Sequence, residues 1–261
     1  MDLSEFKKRP DPNSFKRHPW EIARSKIVIS LIRKAGNLPV DHIADIGSGD
    51  GYIINLLSDK STANHYSAFD NALDEKTLDS LEQTGNRNIH YFNDLKATGN
   101  KLPKADIILL LDVLEHVPEE DILINEIKQH IITGSDTKWI ITVPAFQSIF
   151  SRHDVILGHY RRYNLRQISE VCKKNHLIIE KKGYFFFSLL IARLLLKKNL
   201  KTKDAAPPPS EDTIQNWQGN RLLTRLVAGI LYIDYKIGTI INLMGIHIPG
   251  LSCYCICHQS Q

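Results

Sequence analysis

Twelve residues of this 261-residue chain, "HDVILGHYRRYN" from His153 to Asn164, hold two histidines, an aspartate, two tyrosines and two adjacent arginines. A histidine titrates near neutral pH, so His153 or His159, with Asp154 close by, can act as a general base that removes a hydroxyl proton. Arg161 and Arg162 offer paired N–H donors of the kind that grip phosphate or carboxylate oxygens. With Tyr160 between them and the histidines, the segment reads as a place where a substrate is held. The plainer alternative pairs one arginine with a helix carboxylate and leaves one histidine merely packed. A further histidine, His116, follows Glu115 in "LEHVP". It serves either as another acid–base group or as part of a helix entry ahead of Pro118.

A second stretch, "ADIGSGDG", sets Gly47, Gly49 and Gly51 between a β-type run and a helical one. Glycines there let the backbone turn tightly and approach a ligand closely, with helix N–H groups aimed at it. Asp70 ends the next strand about 20 residues on, where a carboxylate takes both hydroxyls of a ribose. By itself Asp70 could be a turn or cap residue in "FDNALD", but with the glycine loop ribose binding is the better reading. The third glycine comes two residues after the second instead of three, so the dinucleotide fingerprint is not met. Asp45, at the end of the strand, would repel a pyrophosphate and suits a ligand with a cationic amino acid end. No Walker-type Gly-Lys-Ser/Thr for a nucleoside triphosphate occurs.

The elements that must hold these groups alternate along the chain. Apolar residues at helical spacing in "WEIARSKIVISLIRK" predict a helix from Trp20 to Lys34. Strands follow at "HIADIG", "HYSAFD" and "IHYFND", with a helix at "YIINLLSD" after the glycines. "ADIILLLD" lacks polar alternation, as expected of a parallel strand buried on both faces. Then come a helix over about 119–131, the strand "KWIITVP", the opening segment, a helix at "NLRQISEVCKKN" and the strand "HLIIEKKGYFF". The pattern predicts an α/β, doubly wound and mainly parallel sheet. The chain divides into one domain over 1–261, an N-terminal helical cap over 1–36 and a helical insertion over 187–249. In the insertion, "KTKDAAPPPSEDTIQNWQGN" reads as an exposed linker. The apolar stretches around it carry charges and are too short or too interrupted to span a bilayer. They form a lid, a dimer face or an element lying on a membrane surface.

The net charge of +4 conceals an asymmetry: residues 1–150 carry 17 Lys+Arg against 22 Asp+Glu, and the rest carry 16 against 7. A basic C-terminal portion points to an anionic partner. The four cysteines do not form a secreted disulfide framework, and the N-terminal residues show no apolar signal region, so a cytoplasmic protein is expected. Cys253, Cys255 and Cys257 alternate on one strand face and lack Cys-x2-Cys spacing; they read as small buried hydrophobes, and no metal site is assigned.

Taken together, "DIGSGDG", "FD", "ND" and "LLLDVLEHVP" resemble the class I S-adenosylmethionine-dependent methyltransferases over roughly residues 40–185. The resemblance implies S-adenosylmethionine as cofactor and a seven-stranded sheet whose last strand, "LSCYCICH", is antiparallel and lies beside the sixth. It places Gly47, Ser48 and Gly49 around the methionyl part and Asp45 near its ammonium, with Gly51 also binding the cofactor. Asp70 falls on the ribose, Asp94 and Leu95 flank the adenine, and Asp112 and Val113 line the end of the fourth strand. "HPWEIAR" with "SRHDVILGHYRRY" resembles a bacterial subgroup associated with cell-envelope glycan and lipid pathways. That likeness puts His18, Trp20 and Arg24 on a helix over the cleft, near His153 and His159, with Trp20 and Arg24 toward the substrate. The implied reaction is O-methylation of a lipid-linked or phosphate-bearing saccharide or related envelope metabolite. Methylation of a small aromatic or quinone-like metabolite and a non-catalytic cofactor-binding scaffold are the alternatives. Nucleic acid is not expected, since "DVLE" stands where an Asn-Pro-Pro-Tyr-type motif would.

Overall fold

In the computed structural model, residues 17–36, 38–84, 88–98, 102–200, 217 and 219–260 are described. The elements in chain order are α1 (Pro19–Ala35), β1 (Val40–Ile46), α2 (Tyr52–Asp59), β2 (Ala63–Phe69), α3 (Glu75–Thr84) and β3 (Ile89–Phe92). They continue with β4 (Ile107–Leu111), α4 (Glu120–His130), β5 (Lys138–Pro144), α5 (Arg152–Ile156), α6 (Leu165–Lys174) and β6 (Leu177–Phe185). The last are α7 (Phe187–Leu200), α8 (Arg221–Asn242) and β7 (Ser252–Gln259).

The seven strands form one sheet in the order β3-β2-β1-β4-β5-β7-β6. The pairs among β1 to β5 are parallel, and β7 runs antiparallel to both β5 and β6. Successive side chains of a strand point to opposite faces. Ile107, Leu109 and Leu111 of β4 therefore enter one core with α1, α2 and α8. Ile108 and Leu110 enter the other, with α4 and α6. Cys253, Cys255 and Cys257 of β7 all fall in this second core, their thiols free and buried.

α1 starts at a His18 cap: the Trp20 N–H donates to His18 Nδ1 at 3.3 Å, and the His18 N–H donates to Glu21 Oε2 at 2.9 Å. Burial holds the His18 imidazole down to about 4, so it stays neutral and keeps the lone pair the cap needs. Arg17, just ahead, pairs with Asp50 of the glycine loop at 2.6 Å and lies over the Tyr52 ring. The start of α1 is thereby pinned over the carboxyl end of β1.

Between β6 and β7 the chain forms α7 and α8. The buried residues of α8 are Thr224, Ala228, Leu231 and Tyr235. At about 100° per residue its exposed apolar residues Leu222, Leu226, Ile230, Ile233, Ile237 and Ile240 lie on the opposite side. The buried stripe packs on α1, where Lys34 donates to the Tyr235 hydroxyl at 2.8 Å. No described helix is long and apolar enough to cross a membrane. The linker expected in this region falls largely on residues 201–216 and 218, outside the described residues, as do residues 1–16 of the N-terminal cap.

Two local features depart from the sequence reading. α3 is a helix of mostly polar residues, EKTLDSLEQT, with too few apolar positions to register as periodic. The "HDVILGHYRRYN" segment is no simple loop, because α5 occupies its first residues.

Candidate functional site

Ligands of doubly wound sheets sit beyond the carboxyl ends of the strands, where the strand order reverses. Here the reversal falls between β1 and β4, and a cavity of about 740 Å³ opens there. Its wall begins with the glycine loop. The N–H groups of Gly47 and Ser48 donate to the Phe69 carbonyl at 2.7 and 2.9 Å, and the Gly49 N–H donates to Asp70 Oδ2 at 2.8 Å. Gly47 has φ of 73°, and a Cβ there would stand 2.6 Å from Val113 Cγ2. Glycine is thus required both by the left-handed backbone and by the close approach of β1 and β4. The other oxygen of Asp70 accepts the Ala72 N–H at 3.0 Å, so this carboxylate is fixed at the mouth of the loop.

Asp45 lies beneath the loop, 1% exposed, and its Oδ1 has no hydrogen-bond partner among the described residues. Burial pushes its carboxyl up to about 7. Arg24 draws it down, whereas Asp70 and Asp50 push it further up. A buried carboxylate with a spare oxygen is a poor neighbour for phosphate and a good one for a cation.

Across the cleft, Asp112 caps β4 in the left-handed region, φ 57°, which aspartate tolerates better than most residues. The turn aims its carboxylate so that Thr142 Oγ1 donates to Oδ1 at 2.8 Å. Arg24 of α1 stands 2.9 Å from Oδ2. Trp20 and Arg24 line the cavity from above.

The rim segment is latched onto the turn after β4. The Tyr160 N–H donates to the Glu115 carbonyl at 2.7 Å, and the Tyr163 hydroxyl donates to the Leu114 carbonyl at 3.0 Å. Arg161 donates to the Pro118 carbonyl at 2.5 Å. These bonds set His159 against His116, ring centroids 4.6 Å apart and nearly perpendicular. His116, His153 and His159 all line the cavity. Glu115 is fully buried, and neither of its carboxylate oxygens has a hydrogen-bond partner among the described residues. Burial first, and then Asp112, push its carboxyl well above the ordinary range.

Four residues expected to touch substrate are placed differently. Asp154 is fully buried and accepts from Arg162 Nε at 2.7 Å, the Ser151 N–H at 2.8 Å and His159 Nδ1 at 3.0 Å. Burial alone would raise its carboxyl, but the bonds from His159 and Arg162 outweigh it and hold the group well below the usual range. Arg162, 5% exposed, has its guanidinium committed to this carboxylate and to the Ala145 carbonyl. Arg161 forms a 2.6 Å ion pair with Glu120. Tyr160 is 58% exposed and does not line the cavity. Both arginines thus brace the rim, Arg162 through Asp154 and the Ala145 carbonyl and Arg161 through Glu120 and the Pro118 carbonyl, and neither lines the cavity.

Of the cofactor positions expected from the sequence, Gly47, Gly49, Asp70, Asp94, Leu95, Asp112 and Val113 line the cavity. Asp45, Ser48 and Gly51 lie behind or beside that wall. Asn71 and Asn93 also line it and were missed. Their position just past β2 and β3 was the available signal, since strand ends in this topology face the ligand.

No family model and no curated protein sequence matches the chain. Among solved structures it resembles phosphoethanolamine N-methyltransferase 2 of Haemonchus contortus in complex with S-adenosyl-L-methionine. The TM-score is 0.53 and the identity 15%, over 90% of this chain and 53% of that one. It also resembles a Galdieria sulphuraria protein assigned as a sarcosine dimethylglycine methyltransferase (TM-score 0.54, 12% identity, 91% and 85% covered). A third likeness is to the StiE O-MT segment (TM-score 0.50, 13% identity, 90% and 74% covered). The chain thus spans about half the length of the Haemonchus protein. At these identities the likeness establishes a Rossmann-like methyltransferase fold.

Proposed function

We propose that this chain is an S-adenosylmethionine-dependent methyltransferase. The observation that carries the reading is the pair of carboxylates on either side of the glycine loop. Asp45 is buried with a spare oxygen and suits an ammonium, and Asp70 is fixed at the loop mouth and suits a ribose diol. A sulfonium nucleoside bearing an amino acid needs both. Gly47 allows the close approach, Asp94 and Leu95 receive the adenine, and Asp112 and Val113 close the floor. Trp20 and Arg24 exclude water from above. When bound, the cofactor supplies an electrophilic methyl group. The chain's own part is to hold the acceptor oxygen in line and to accept its proton at a rim histidine, His153, with His116 and His159 beside the acceptor.

The acceptor is a lipid-linked saccharide or a related envelope metabolite, met by a cytoplasmic protein at an anionic membrane surface. Support comes from the apolar side of α8 facing solvent and from the basic C-terminal portion of the chain. Arg193 of α7 donates to Ser151 Oγ at 2.8 Å, two residues before His153, so these helices and the rim are mechanically joined.

Calorimetric titration with S-adenosylmethionine, S-adenosylhomocysteine and NAD tests the reading. Micromolar binding of the first two, and none of NAD, is expected. A chain that binds NAD, or none of the three, is not this enzyme.

A further inference from the structure

Glu115, His116 and His159 each present one ligand-type atom, and these atoms lie within 4.8 Å of one another at the cavity wall. Two observations separate this cluster from a chance grouping of polar side chains. First, Glu115 is fully buried while both of its carboxylate oxygens lack a hydrogen-bond partner among the described residues, and folded chains rarely leave such a group without something to bind. Second, His159 Nδ1 is held at 3.0 Å by Asp154, which accepts from Arg162 and Ser151 as well. An acceptor-only carboxylate keeps the proton on Nδ1 and so leaves Nε2 as the free lone pair. That is the orientation of an imidazole bound to a metal with a carboxylate behind it.

We infer that Glu115, His116 and His159 form a site for a divalent transition-metal ion whose open coordination positions face the cavity. The ligand chemistry selects the ion: two imidazoles and one carboxylate suit Mn2+, Fe2+, Co2+ or Zn2+, whereas Mg2+ and Ca2+ prefer oxygen throughout. Three protein ligands with room for a fourth is the pattern of a metal that handles substrate instead of one that staples a fold. Around an ion with ligands at about 2.1 Å the donor atoms stand roughly 3.4 Å apart, a contraction that small side-chain rotations supply. The latches from Tyr160, Tyr163 and Arg161 to the turn after β4 already bring the two histidines together across 43 positions of sequence. Resting on the methyl-transfer reading, the role follows: an acceptor oxygen coordinated there has its hydroxyl pKa lowered next to His153.

The test is titration of Co2+ into the metal-stripped full-length chain without cofactor, followed by visible absorption and calorimetry. One equivalent should bind, with the visible bands of nitrogen and oxygen ligation and no intense thiolate charge-transfer band. Glu115→Gln, nearly isosteric, and His159→Ala should each weaken binding by about tenfold or more, with circular dichroism unchanged for the folded variants. Cys255→Ser should bind as the wild type does. A thiolate band would assign the ion to the buried Cys172, Cys255 and Cys257 group and overturn the inference. So would a wild-type chain that takes up neither Co2+ nor Mn2+, or full affinity in both the Glu115 and His159 variants. Because cofactor is absent, a chain that binds Co2+ yet never binds S-adenosylmethionine keeps the metal site and loses only the methyl-transfer reading.

Discussion

Asp45 makes cofactor affinity a function of pH in a way that can be worked out beforehand. Burial pushes its carboxyl up to about 7, and an ammonium gains from it only when it is ionised. At pH 5 about 1% of molecules carry the charge and at pH 7 about half, so affinity should rise about fifty-fold, or about 2 kcal/mol. The ligand's own α-amino group stays largely cationic over this range. Arg24 faces the carboxyl from α1, with Asp70 from the end of β2 and Asp50 from the loop. The Asp45→Asn variant subtracts whatever these and other groups contribute. Calorimetry at both pH values, in buffers of different ionisation enthalpy, should also register a proton released on binding at pH 6 by the wild type and not by the variant. The sign for stability is opposite. A carboxyl raised from 3.8 to about 7 has its contribution fully present below pH 4 and loses it as the pH climbs toward 7, a loss of up to about 4 kcal/mol. Asp45→Asn should therefore melt higher than the wild type at pH 8 while binding cofactor more weakly. Equal affinity at pH 5 and pH 7 in the wild type, or the same pH dependence in the variant, would refute the assignment of Asp45 to the ammonium.

Gly47→Ala meets two separate penalties, a left-handed φ of 73° and the 2.6 Å contact with Val113. A loss of about 2 kcal/mol or more is expected, lowering Tm by roughly 4–8 °C, with Val113→Ala in the same chain recovering only the steric part. An unchanged melting curve would contradict the loop geometry. For the apolar side of α8, the wild type should float with vesicles rich in anionic lipid, and Leu226→Glu combined with Ile233→Glu should abolish flotation while leaving cofactor affinity intact. A wild type that stays at the bottom of the gradient excludes the membrane-surface reading.

Strands buried on both faces were legible because their runs are continuously apolar, as in β4 and β5, and the glycine loop was legible because its backbone demands are local. α3 was not, since Leu78 and Leu81 are too few to set a period. The chemistry of the rim was half legible. "HDVILGHYRRYN" announces charge and histidine, yet nothing local says that Glu120, 41 positions earlier, takes Arg161, or that Asp154 folds back on Arg162. Residue types are written in the sequence, whereas the pairing that decides whether a charge is available is settled only by tertiary packing. Glu115 illustrates the same point: its place after the fourth strand was readable, but the lack of a hydrogen bond to its carboxylate among the described residues was not.

The position of β7 carries a consequence for synthesis. It lies between β5 and β6 although it follows both in the chain. While the nascent polypeptide is emerging, β6 has no partner to pair with and the edge of β5 stays open, its N–H and C=O groups unpaired, until Ser252–Gln259 has left the ribosome. Wedging a late strand into the interior demands long-range pairing on both sides at once, the kind of step that folds slowly. Open strand edges during that wait invite association with other chains. The stretch between β6 and β7, which includes both α7 and α8, therefore sets how long those edges stay open.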